Sequence, residues 1–163
     1  MQQASQEPSR EAVIAAARAI MAAAKNCALV TLDGSGAPQA RMMDPFPPEE
    51  DLSVWMATSP DTRKALEIEA DARVALVYFD PGDPGYATLI GTARLVDDLA
   101  ERRARWKDEW EPYYPGGPEG DSYRLIEVVA RRLEVVSLAH DIAADPLAWE
   151  PAIVELSGSP MPS

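Results

Sequence analysis

The sequence predicts a mainly β, α+β fold: an antiparallel barrel of six to seven strands with helices packed outside it. Three observations carry this expectation. Short runs rich in β-branched and aromatic residues are separated mostly by turn-forming Gly, Pro and Asp. Strands and helices do not alternate, and no glycine fingerprint opens a helix, which excludes a doubly wound nucleotide-binding fold. A long strand pattern is interrupted by Gly91, which marks the bulge or bend that a strongly curved sheet needs.

Residues 1–8 are polar and are expected to be disordered. Ser9 can cap a helix running to about Ala24, with Val13, Ala16, Ala17, Ile20 and Ala24 at helical spacing. CALVTLD (27–33), the turn signature GSGAP and the extended PQARMM read as a β-hairpin. FPPEED is a loop. LSVWMAT (52–58) alternates Leu52, Val54 and Met56 with Ser53, Trp55 and Ala57, a strand with one face toward the core. A helix follows with Ser59 as N-cap, Pro60 at its first position and Asp61 in its first turn, ending near Asp71. ARVALVYFD (72–80) is almost continuously apolar and reads as a strand buried on both faces. PGDPG breaks the chain before the long strand 86–98. LAERRARWKDEW reads as one charged helix, PYYPGGPEGD as a loop, and YRLIEVVARRLEVVSL as two strands with a break near Ala130. Residues 9–140 thus form one domain, and 141–163 a partly docked tail ending in a flexible SGSPMPS.

Composition narrows the function. A chain of 163 residues with 47% hydrophobic residues can bury a core without disulfides or metals. Cys27 is the only cysteine, which excludes an internal disulfide and suits a reducing, cytoplasmic setting. A formal charge of −12 repels nucleic acid and anionic membranes. VIAAARAIMAAAK contains Arg18, lacks a basic leader and is too short to span a bilayer, so neither secretion nor membrane insertion is expected.

Against this acidic background, Arg63 and Lys64 stand at the start of a helix, where aligned peptide dipoles place roughly half a positive charge. Cations there destabilise the helix unless an external anion meets them. A small phosphate would fit, held by the helix N–H groups and both cations, with Thr58, Ser59 and Thr62 as hydroxyl donors. The alternative is local: Arg63 pairs with Glu67 four residues on, worth a few tenths of a kcal/mol, and Lys64 is solvated.

Four segments in register extend this reading. G-A-P-Q-A-R-M-M (36–43), L-S-V-W-M-A-T-S (52–59), T-R-K (62–64) with A-R-V-A-L (72–76), and G-T-A-R-L-V-D-D (91–98) resemble pyridoxamine 5'-phosphate oxidase-like flavoproteins, and most nearly their general stress protein branch. The resemblance spans about residues 12–138 and includes a Trp-containing helix and a PGGP loop like Trp110 to Pro118. It implies a split β-barrel homodimer with FMN at the subunit interface. Arg41, Arg63 and Lys64 would grip the flavin phosphate. The backbone at Met42 and Met43 would run beside the isoalloxazine ring, Ala57 and Thr58 would lie close to the cofactor, and Tyr86 would stand where relatives turn a polar side chain toward the flavin. A phosphate grip does not specify what lies beyond it, so FAD or a deazaflavin are alternatives to FMN.

The function implied is a flavin-dependent oxidoreductase acting in a stress response, passing electrons between a small-molecule donor and acceptor. The alternative is a flavin-binding or flavin-storing protein without turnover, which the lack of an evident acid–base pair fits. Authentic pyridoxamine 5'-phosphate oxidase activity is not expected. Such enzymes carry an Arg-x-His near the C-terminus, which this chain lacks, and a lysine shortly after the strand arginine, where this chain reads DPFPPEE. One histidine and one cysteine do not make a zinc site, so no metal is expected. His140 reads as a boundary residue, Cys27 as a small core residue, and Trp106 and Trp110 as packing residues on one helix face. Tyr113 and Tyr114 are candidates for a flap over the flavin, and Trp149 for a lid or a docking residue.

Overall fold

The computed structural model describes residues 7–156. The termini expected to be disordered or flexible lie outside these residues, apart from Glu7 and Pro8.

Helix α1 (Arg10–Ala24) starts where Ser9 accepts a hydrogen bond from the Ala12 N–H at 3.2 Å. Its inward stripe Val13, Ala16, Ala17, Ile20 and Met21 is buried, and Lys25 at φ +62° ends it. Strands β1 (Cys27–Leu32) and β2 (Pro38–Met43) form the expected hairpin. Asp33 Oδ1 shapes the turn by accepting from the Ser35 and Ala37 N–H groups, and Gly36 takes the left-handed φ of +82° that a side chain would resist.

Next come β3 (Val54–Thr58), α2 (Arg63–Ala70), β4 (Arg73–Asp80), β5 (Gly85–Val96), α3 (Leu99–Ala104), β6 (Arg124–Val136) and β7 (Ala152–Glu155). The strands make one antiparallel sheet in the order β2-β1-β4-β5-β6-β3, with β7 also paired to β6. β6 is long enough to hold β3 along its first half and β7 along its second. This is a split-barrel-like α+β architecture in which the sheet curves without closing: among the described residues no ladder joins β2 to β3. One core gathers around Ile20, Leu29, Leu76, Leu89 and Leu133. A second, aromatic cluster forms where Trp55, Val96, Tyr123 and Leu125 meet Phe46, Trp106, Trp110 and Tyr114.

Several expectations need correction. The final two strands are a single strand, β6. The pairing steps from Gly91↔Ala130 to Ile90↔Arg132, so Arg131 is looped out as a bulge and the strand bends where a break was expected. The charged helix stops at Ala104; Lys107 is extended and Trp110 lies in a short 3-10 turn, because both tryptophans turn inward to the aromatic cluster. β3 is buried on both faces, since that cluster covers Trp55. β4, conversely, buries only Val74, Leu76 and Tyr78; Ala75 and Val77 are half-buried, and Phe79 is exposed because no element of the described chain covers it. Within the tail, the four-residue β7 buries Ala152 and Val154 against β6.

Candidate functional site

The helix that carries Arg63 and Lys64 begins three residues later than expected. Ser59 to Asp61 form a turn in which the Thr62 N–H donates to the Ser59 carbonyl at 3.3 Å, and Thr62, not Ser59, is the N-cap. The Thr62 side chain caps nothing, because its hydroxyl donates back to the Ser59 carbonyl at 2.9 Å. Asp61 precedes the helix, leaving the first turn without an acidic residue. Arg63 and Lys64 are therefore the first two helical residues, and the positive end of the helix dipole meets two cations with no carboxylate in the first turn.

Compensation comes from Glu67, one turn further along α2, which also meets the sheet. Arg41 on β2 stands opposite Leu29 on β1, and its Nη1 donates to Thr31 Oγ1 at 2.6 Å and to the Leu29 carbonyl at 3.2 Å. Its Nη2 lies 3.4 Å from Glu67 Oε2, which also accepts from the Thr31 hydroxyl. Thr31 is fully buried and Glu67 is only 8% exposed. Arg63 Nε is 3.2 Å from the other Glu67 oxygen, so the local i,i+4 pair does form. The approach is poorly aligned, and Oε1 is a buried oxygen with no hydrogen bond.

Lys64 is different. It is half-buried and has no ion-pair partner among the described residues. Burial first, and the neighbouring Arg41 guanidinium second, push its pKa below that of an ordinary lysine. Arg63 is 69% exposed and borders a groove of about 700 Å³ that also carries Asp33, Asp61 and Asp71. The two adjacent cations thus face different surroundings, Arg63 an acidic groove and Lys64 the neighbourhood of Arg41.

Thr58 ends β3 and is buried, its hydroxyl 3.1 Å from that of Thr62 and 3.1 Å from the Ser59 carbonyl oxygen. Ala57 and Ser59 flank it, half-buried. Met42 continues β2 beyond Arg41 and is 68% exposed, while Met43 turns back to the core. Tyr86 is not part of this grouping. It pairs with Val136 at one end of β6, whereas Thr58 pairs with Arg124 at the other, twelve positions or about 40 Å of extended strand away. Thr31 and the second role of Glu67 escape a sequence reading: Thr31 is 36 residues from Glu67 and nothing local connects them.

Of the remaining candidates, His140 and Tyr114 are held in structural contacts. His140 Nδ1 lies 2.8 Å from Ser137 Oγ, and the Ser137 hydroxyl donates to buried Asp83, which also accepts from the Ala139 N–H at 3.1 Å. Burial works upward on the Asp83 carboxyl, yet these hydrogen bonds and nearby His140 outweigh it and hold its pKa low. The cluster ties the end of β6 to the β4–β5 turn. Trp106, Trp110, Tyr114 and Tyr123 stack edge-on or tilted at centroid distances of 5.2–6.1 Å, so Tyr114 is a packing residue while Tyr113 is exposed. Trp149 is half exposed at φ +56°. Among the described residues no three metal-ligating side chains converge, and no helix is long and apolar enough to cross a membrane.

Similarity to known proteins agrees with this architecture. The chain resembles a crystal structure of a protein related to general stress protein 26 from Clostridium acetobutylicum (TM-score 0.73, 17% identity, 91% of this chain and 97% of that one). It also resembles a pyridoxamine 5'-phosphate oxidase-related, FMN binding protein from Nostoc punctiforme (TM-score 0.60, 17% identity, 94% and 100%). A heme binding protein from Mycobacterium smegmatis is similar too (TM-score 0.61, 23% identity, 80% and 55%). Identities this low show a shared fold, and the different ligands named for these neighbours show why the fold alone does not choose one. No curated protein matches the sequence. The model of the family described as pyridoxamine 5'-phosphate oxidase like matches residues 14–141, most of the chain. With seven antiparallel strands in a split-barrel-like sheet and an Arg-Lys pair opening the helix after the third, this chain belongs to the pyridoxamine 5'-phosphate oxidase-like family.

Proposed function

We propose that the chain binds FMN through its phosphate at the start of α2 and works as a flavin-dependent oxidoreductase in a stress response. The observation that carries this reading is Lys64: a half-buried cation at a helix N-terminus, beside Arg41, with no carboxylate of its own among the described residues. A phosphate dianion would supply the missing charge and accept from the uncapped N–H groups of the first turn. The donor set fits such a group, since Arg41, Arg63 and Lys64 carry three positive charges and Glu67 is the one carboxylate among the described residues that pairs with them.

In this reading Lys64 is the principal phosphate ligand. Arg41 is anchored by Thr31 and the Leu29 carbonyl and presents its guanidinium from the side; Arg63 closes the solvent side. Thr58, Ser59 and Thr62 form the turn that fixes the helix start and offer hydroxyls to the ligand. The ring system would lie along β2 past Met42 and Met43, with Ala57 and Thr58 beside it. FMN, when bound, would supply two-electron transfer between a reduced nicotinamide donor and a small acceptor. Tyr86, remote within one chain, would reach the flavin only from a second copy, which makes the site part of a homodimer interface. The exposed Met42 and Phe79 offer apolar area for that contact. A small acidic protein with one buried, reduced cysteine is consistent with a cytoplasmic location.

A specific observation favours a second reading, flavin binding or storage without turnover. Among the described residues the one carboxylate paired within the cation cluster, Glu67, is engaged by Arg41, Arg63 and Thr31, and the single histidine is engaged with Ser137 at the end of β6. Absorbance and fluorescence of the dialysed protein before and after adding FMN test the binding itself: quenched flavin fluorescence is expected, and retained free-flavin fluorescence at saturating protein would end the proposal. NADH or NADPH oxidation above the rate of free FMN separates enzyme from carrier. Titrating FAD and a deazaflavin in parallel identifies the ligand beyond its phosphate.

A further inference from the structure

The sequence singles out the cations at the start of α2 and a local partner for Arg63 in Glu67; the structure buries that carboxylate and joins it to Arg41 and Thr31. Glu67 is more than nine-tenths buried, its Oε2 held by the Thr31 hydroxyl and its Oε1 without any hydrogen bond. Burying a carboxylate with one oxygen unsatisfied costs stability unless a cation compensates it. Two do so, and neither does it well. Arg41 Nη2 reaches Oε2 only at 3.4 Å, and Arg63 Nε faces Oε1 at 3.2 Å without hydrogen-bond alignment. The tight contact of Arg41 is its other nitrogen, Nη1, to Thr31 at 2.6 Å. The arrangement has one firm anchor that leaves Arg41 in place, and two loose ion pairs that can be exchanged at little cost.

We propose that Glu67 is a built-in counter-anion: it holds Arg41 and Arg63 in the ligand-free protein, releases them to an incoming phosphate, and by its retained negative charge limits how tightly phosphate is held. The proposal rests on the reading of the α2 start as a phosphate site. Glu67 offsets one of the three cationic charges of Arg41, Arg63 and Lys64, and Asp33, Asp61 and Asp71 line the groove that Arg63 borders; removing the carboxylate raises the positive charge of the cluster by one. The Thr31 hydroxyl remains with Glu67 throughout, so Oε2 keeps one hydrogen bond when the arginines turn toward the phosphate. An ordinary structural salt bridge would behave differently. Removing Glu67 would then only loosen Arg41, and phosphate affinity would fall with stability.

The test is Glu67→Gln, which keeps the length of the side chain and an acceptor for Thr31 but removes the charge. Thermal melts and fluorescence titrations with FMN, riboflavin and inorganic phosphate are compared with the wild type. Expected are a lower melting temperature without ligand and FMN binding tightened by about tenfold or more, the scale that one charge interaction supports at intermediate dielectric. Riboflavin binding should be unchanged, and inorganic phosphate should stabilise the variant more than the wild type. FMN binding that is unchanged or weaker in the variant, while the wild type still prefers FMN to riboflavin, overturns the role of Glu67 and leaves the flavin reading intact. Phosphate stabilisation that grows in the variant while neither protein binds flavin overturns the flavin reading and supports the counter-anion. If E67Q does not fold, Glu67→Asp withdraws the charge from Arg41 by one methylene and should shift FMN and phosphate affinity in the same direction; weaker binding would again overturn the proposal.

Discussion

A Cβ at Gly91 would lie 2.0 Å from the carbonyl oxygen of Val129, closer than any real side chain approaches a backbone oxygen. The contact sits where β5 and β6 change register around Arg131, so the two backbones converge there because one has no side chain. The atoms in the way are main-chain atoms of the central strand pair, which cannot move without disturbing the ladder. Gly91→Ala is therefore expected to cost about 3 kcal/mol or more, at the upper end of single-residue effects. Urea or thermal unfolding measures it, and a melt like that of the wild type would refute the register described here.

Gly91 also shows how far the sequence could be read. A glycine inside a β pattern signals a bulge on local grounds, and the hairpin turn, Ser9 cap and helix stripe are equally local. Apart from the start of α2, which a local Ser59–Thr62 turn delays, what failed depended on partners distant in the chain. The Ala-Arg-Arg stretch looks like a strand break, but β5 holds both halves in one strand and expels Arg131. The charged helix shortens because Trp106 and Trp110 are drawn to Tyr123. β7 is four residues after a proline and becomes a strand only because β6 is long enough to receive it. At the candidate site the Arg-Lys pair and Arg41 stand out in the sequence, whereas Thr31 and the buried carboxylate of Glu67 become partners only when β1 and α2 meet.

Arg63 and Lys64, adjacent in sequence, should contribute unequally to phosphate binding. Lys64 is half-buried without a partner among the described residues; Arg63 is mostly exposed and already shares Glu67. Losing one charge-assisted contact costs about 1.5 to 3 kcal/mol, so Lys64→Ala should weaken FMN binding roughly tenfold to a hundredfold. Arg63→Ala should cost less than about 1 kcal/mol, as exposed pairs do. Titration calorimetry on the two single variants decides; equal losses would contradict the asymmetry.

Acid sensitivity should come in part from the turns at Asp33 and Asp71, alongside the buried Asp83. The Ser35 hydroxyl, followed by the Ala37 and Ser35 N–H groups, lowers the Asp33 pKa from 3.8 to about 2, and Arg73 does the same for Asp71. A carboxyl whose folded pKa is depressed contributes stability above its unfolded pKa and loses it as pH falls through the folded one. Stability should thus decline from about pH 4 to about pH 2, and Asp33→Asn should flatten part of that decline. Circular dichroism melts across this range test it: an unchanged slope in the variant would show that Asp33 is not one of the responsible groups.

The last expectation concerns Cys27, the first residue of β1 and fully buried. Burial pushes its thiol pKa from 9.0 up to about 11; the neighbouring Tyr78 hydroxyl works against that rise, and the charge of Asp44 adds to it. Only the thiolate is nucleophilic, so at pH 8 a folded protein should react with a thiol reagent far more slowly than the unfolded chain. The same shift has a sign for stability. Between pH 9 and 11 the unfolded thiol releases its proton while the folded one keeps it, so alkali should destabilise the fold across that window and Cys27→Ala should remove this component. Labelling with and without denaturant gives the first answer and alkaline melts of the two proteins the second. Rapid labelling of the native protein would mean that β1 opens to solvent, and would place the weak point of the fold at the strand that supports Thr31 and Arg41.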